Sequence, residues 1–198
     1  MTTETDIANL ALAVLDEAPI TLISDDNTAA RLANRHFAQT RKAELAKHEW
    51  AFALASDSVT GSDTGTGDGT LDWSYTIPSN VLRITAITYD GEPRGIPINW
   101  RQKGTVILSD QEGPLKLLTV KDVTDPTLWS PLFTEVFVAA LAIKMALPLT
   151  HKSGMIDVAK AAYQTAITEA TRANARLAGM YNDALWSAQR GDNRFWRA

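Results

Sequence analysis

Cysteine is absent from all 198 residues. That excludes a disulfide framework, a thiolate zinc site and a cysteine nucleophile. An intracellular origin fits this composition, and a disulfide-free secreted protein fits it too. No signal peptide is expected, because MTTETDIANLALAVL places acidic rather than basic residues ahead of its short apolar run. An uninterrupted apolar run of membrane length is also missing. Leu132 to Leu149 comes nearest, but Glu135 and Lys144 interrupt it and Pro148 closes it. It reads as a buried core helix, and no membrane partner is expected.

Catalytic signatures are equally scarce. There is no G-x-S-x-G nucleophile elbow and no H-E-x-x-H zinc helix, since the HEWAF at 48–52 lacks the second histidine. The Gly-rich stretch 56–70 has no Lys followed by Ser or Thr after its glycines, so it is no phosphate loop, and it lacks the acidic spacing of a calcium loop. The histidines are His36, His48 and His151. Glu44 and His48 stand four apart and read as a helix-stabilising or packing pair, because two ligands do not make a metal site. Paired carboxylates for glycoside hydrolysis are not legible among 23 acidic residues. No catalytic, cofactor-binding or metal-ligating residue is therefore assigned.

Basic charge is short overall but unevenly placed. The net charge is −4. Residues 1–55 carry 5 basic and 8 acidic side chains, residues 56–125 carry 6 and 10, and residues 126–198 carry 8 and 5. A nucleic-acid binder normally needs a basic patch to displace counterions, and the only candidate is the C-terminal end.

What is present is a pattern of helices around a β-rich middle. The stretch Ser24 to Ala55 has capping residues Ser24, Asp25 and Asp26 at its start and no Pro or Gly inside. Ala30, Ala33, Phe37, Leu45, His48 and Phe52 recur at helical spacing, with a gap at Arg41. The pattern predicts a rod over 25–53, roughly 43 Å long at about 1.5 Å per residue. A short helix is predicted over 4–18, capped by Thr3 or Thr5, ended by Pro19 and packed on the rod. Residues 56–70 read as a flexible loop by composition.

Short strands are predicted near Trp73–Ile77, Leu82–Tyr89 with a bulge or change of face, Ile96–Trp100, Thr105–Ser109 and Leu115–Val120. Ser130-Pro131 starts a helix over 131–147, apolar on most sides and hence central. Another helix is predicted over 153–178, with Gly179 ending or loosening it. The expected class is α+β: mainly a helical bundle with long antiparallel helices, an inserted small antiparallel β-sheet or sandwich, and an extended C-terminal tail. Its parts are a first helical half (1–55), the loop (56–70), the β region (71–125), a second helical half (126–178) and the tail (179–198).

The tail holds Trp186, Phe195 and Trp196 among Arg190, Arg194 and Arg197. It cannot bury its aromatics within itself. They either fold back on the chain's own core or anchor in a partner, where Trp, Tyr and Arg dominate interface energetics. Single-strand nucleic-acid binding by aromatic stacking plus arginine is a further reading.

Four strings then carry a resemblance: ISDDNTAA at 23–30, AELAKHEWAFA at 43–53, DWSYTIPSNVLRITAI at 72–87 and AKAAYQTAITEATRANAR at 159–176. In this order and spacing the chain resembles the head-to-tail adaptors of short-tailed bacteriophages, also called tail tubular protein A. The resemblance implies a structural virion protein of the tail or neck, assembled in the host cytoplasm, with no enzymatic task and no cofactor. It implies a homo-oligomeric ring, typically of twelve copies, below the portal protein. The ring would carry the distal nozzle or tubular tail protein, and genomic DNA would pass through it without specific binding. Trp186, Arg190, Arg194, Phe195, Trp196 and Arg197 then become the portal-binding set. The alternatives are a tail-associated glycan hydrolase and a nucleic-acid-binding module using the Arg and aromatic C-terminus.

Overall fold

The computed structural model describes residues 3–63, 71–89 and 98–191, with side chains over 3–63, 71–88 and 98–177. The chain divides into two compact units, Met1–Glu44 with Val123–Ala198 and Leu45–Asp122. Its elements run α1 (Glu4–Val14), α2 (Thr28–Lys47), β1 (Leu54–Val59), β2 (Gly61–Asp63), β3 (Trp73–Thr76), β4 (Val81–Tyr89), β5 (Trp100–Lys103), β6 (Val106–Ser109), β7 (Leu115–Lys121), a 3-10 turn (Pro126–Leu128), α3 (Pro131–Thr150) and α4 (Ser153–Gly191).

The expected class needs correction. The protein is α+β with four helices and two antiparallel sheets of seven strands among the described residues, not mainly a helical bundle of long helices. About half the chain is helical, and three of the four helices have 20 residues or fewer. Two local readings account for the difference.

The first is the rod predicted over 25–53, which is only 20 residues long. Asn27, not Ser24 to Asp26, starts it: Asn27 Oδ1 accepts from the Ala30 amide at 2.8 Å. At the other end, the Trp50 carbonyl accepts from the amides of Ala53 and Leu54 at 2.8 and 3.1 Å. That turn redirects the chain into β1, and Trp50 is itself buried. The second is the stretch read as a loop over 56–70. Its first part is paired strand, because β1 runs antiparallel to β7 from Leu54↔Val120 to Val59↔Leu115.

Polar contacts replace the missing apolar alternation in β1. Asp57 lies 2.7 Å from Lys121 Nζ and accepts from Thr119 Oγ1 at 3.0 Å. The sheet order is β1-β7-β4 in one sheet and β2-β3-β6-β5 in the other. Their facing side chains make one core of Val59, Tyr75, Ile107, Leu115 and Leu117, with Ile84 and Ile87 packed against it. β4 meets β7 with register shifts at Val81/Arg83 and Ile84/Ala86, so its change of face is carried by bulges.

In the helical unit, Thr3 and Asp6 form a capping box at the start of α1. Asn9 fixes the connection after α1 by bonding both the amide and the carbonyl of Ile20, at 2.8 and 3.0 Å. Ser130 caps α3, with Pro131 at its first position. Pro148 does not close α3, which continues to Thr150 and ends on His151 at φ 53°. A proline in the last turn removes only one intrahelical hydrogen bond.

α3 has the length and hydropathy of a membrane span, mean hydropathy 1.8, yet 56% of that window is buried within the protein. Phe133, Phe137, Leu141 and Met145 are fully buried on it. Phe37 of α2, Trp129, Phe133 and Phe137 stack into one aromatic cluster with centroid separations of 4.9 to 6.4 Å. The Trp129 indole donates to the Val123 carbonyl at 2.9 Å, so its polar edge is satisfied.

α4 also departs from expectation. It does not end at Gly179 but runs 39 residues to Gly191. A glycine inside a helix costs about 1 kcal/mol relative to alanine, and the flanking Leu177, Ala178 and Met180 are good helix formers. The tail is therefore not extended over 179–191.

Candidate docking surfaces

The C-terminal set expected to dock a partner divides at the end of α4. Trp186 and Arg190 lie on this helix, four residues and hence about 6 Å apart along its axis. Arg194, Phe195, Trp196 and Arg197 lie outside the described residues.

What positions the first two is the length of α4. At about 1.5 Å per residue α4 reaches ~58 Å, whereas α3, its main packing partner, reaches ~30 Å. Burial follows this difference. Ala159 and Ala170 are buried, and Ala175, Arg176 and Leu177 are all exposed, Leu177 by 58%. Up to Leu177, the buried positions of α4 lie in its first half, and the helix itself continues to Gly191.

A second surface lies in the same unit. α1, α3 and α4 enclose an open groove of about 690 Å³. Leu10 and Val14 of α1 form one wall, Ala162 and Ala166 of α4 the other, and Val138 and Ala139 of α3 the floor. Glu135 and Glu169 stand on its edge, both exposed. α1 carries Glu4 and Asp6 in its first turn, outside the groove lining, and no basic residue. The Asp6 carboxyl is held below its ordinary value, first by the Thr3 amide and then by the Thr3 hydroxyl that donate to it. The groove is lined mainly by apolar residues, and the charged residues in its lining are Glu135 and Glu169.

Sequence reasoning singled out neither this groove nor the polar cluster on α2. Arg41 was expected as a gap in the apolar face, but Thr40, Arg41 and Glu44 are all buried there. Glu44 accepts a hydrogen bond from the Tyr163 hydroxyl at 3.0 Å. His48 does not share a helical face with Glu44, because α2 stops at Lys47. Its ring lies edge-on to Trp50 at 5.4 Å instead. Among the described residues no three His, Asp or Glu side chains converge as a metal-binding group.

No protein-family model matches the sequence, and no curated protein matches it.

Proposed function

We propose that the protein is a structural adaptor of a short-tailed phage virion, a ring-forming piece between the portal and the distal tail. The observation that carries this reading is α4, which continues as one helix of 39 residues to Gly191 and bears Trp186 and Arg190 on the way to the Arg and aromatic C-terminus. Such a helix presents a preformed anchor, so less ordering entropy opposes docking than for a loose tail. The four strings that resemble head-to-tail adaptors support the same reading.

In this reading the helical unit makes the ring wall and the last residues, including Arg194, Phe195, Trp196 and Arg197, seat in the portal. The sheet unit, Leu45–Asp122, serves the distal tail protein. The acidic balance of −4 suits a conduit, since DNA phosphates are not gripped by it. The test is electron microscopy of the purified protein mixed with the portal protein of the same phage genome. Added rings of density below the portal are expected, and a portal that stays bare at saturating protein would overturn the reading.

A further inference from the structure

We infer that the groove between α1 and α4 receives the second half of α4 from another copy of this chain. The occupant is a helix segment around Arg172 to Ala184. Three observations select it. The groove is apolar within and carries Glu135 and Glu169 at its edge, with no basic residue on α1. The second half of α4 brings the complementary charge, with Arg172 and Arg176 both exposed. By sequence it also brings an apolar series, Leu177, Tyr181, Ala184 and Ala188, at spacings of four, three and four. An amphipathic helix laid in an apolar groove uses this i, i+4, i+7 pattern.

The third observation excludes a contact within one chain. Ala166 in the groove wall and Ala184 in the proposed occupant belong to the same continuous helix. They lie 18 residues, or about 27 Å, apart along its axis. A helix cannot fold back into a groove that it walls itself, so the occupant comes from a second molecule. The contact is heterologous, with a groove on one copy and a helix on the next, and such contacts repeat until a ring closes or a filament grows. Closure into a ring rests on the adaptor reading, whereas the contact itself needs only two copies. Trp186 and the residues after it remain for the portal.

The absence of cysteine makes the test clean. Ala166→Cys and Ala184→Cys are made in separate chains, mixed at concentrations up to about 100 µM and oxidised. Ser62→Cys on exposed β2 replaces Ala184→Cys in the control mixture. A mixed disulfide dimer several-fold above that control is expected, and a yield equal to it overturns the proposal. A second measurement does not depend on cross-linking geometry. Glu135→Lys with Glu169→Lys in one chain, and Arg172→Glu with Arg176→Glu in another, should each weaken self-association on the order of tenfold by sedimentation. Mixing the two variants makes both cross-pairings matched, Lys groove with Glu helix and Glu groove with Arg helix, and should recover association. A mixture no stronger than either variant alone, or a wild-type chain that stays monomeric over the whole range, overturns the proposal. Portal binding measured on the same variants separates this contact from the adaptor reading: if cross-linking fails while portal binding persists, only the contact is lost.

Discussion

The Tyr163 hydroxyl on α4 donates to Glu44 Oε2 on α2 at 3.0 Å, across 119 residues of sequence. Glu44 is only 4% exposed, so this bond belongs to a carboxylate largely removed from water. A hydrogen bond to such a charge contributes more than a neutral one. Tyr163→Phe removes the donor and keeps the ring. It should cost about 1.5–3 kcal/mol in denaturant unfolding. A loss under about 0.5 kcal/mol would show that water or another group replaces the donor.

Gly61 and Tyr75 are paired across β2 and β3, and the ring lies directly over the glycine. A Cβ at Gly61 would stand 2.5 Å from Tyr75 Cζ. The ring has no room to withdraw. It is fully buried, and its hydroxyl is held by the carbonyls of Gln111 and Gly113 in the turn between β6 and β7. Gly61→Ala should destabilise the protein by about 1–3 kcal/mol, as overpacking of a filled core does. Thermal unfolding checks it, and an unchanged midpoint would show that β2 shifts freely at the sheet edge.

Thr3 and Asp6 set an acid dependence. The Asp6 carboxyl titrates below its ordinary 3.8, because the Thr3 amide and hydroxyl donate to it. Asp125 does likewise with the amide and hydroxyl of Thr127. A depressed folded-state value means stability that is present above the ordinary value and lost as pH falls through the lowered one. The stability difference between wild type and Asp6→Asn should therefore stay constant above about pH 5 and shrink below the ordinary aspartate value. Unfolding curves collected between neutral and strongly acidic pH measure it. A difference that grows on acidification would contradict the capping role.

The parts of the fold legible in the sequence are those whose signal is local. Ser130-Pro131 announces α3, the Thr3 cap announces α1, and the pattern in 115–120 announces β7, where Leu115 and Leu117 are buried and Lys116 is exposed. The misread parts depend on distant partners. Nothing within SDSV marks β1, because the Lys121 and Thr119 that satisfy Asp57 lie more than sixty residues away. The end of α2 is equally silent, since burial of Trp50 rather than a Pro or Gly turns the chain there. Gly179 misled in the other direction by suggesting a stop that α4 passes. At the candidate site, Trp186 and Arg190 were visible as residue types, but their place on a continuous helix was not. The acidic groove was invisible, because Leu10, Val138 and Ala162 meet only once the three helices are packed.

The central claim is that α4 beyond the described core, with the residues after it, is a docking element for another assembly. Removal of 179–198 tests it most directly. Ala175, Arg176 and Leu177 are exposed just before the cut, so the shortened chain should lose only the helix of 179–191 and keep its cooperative unfolding. Its co-sedimentation with portal rings should fall to background while the full chain is retained. A shortened chain that still sediments with the portal, or that no longer folds, would contradict the claim.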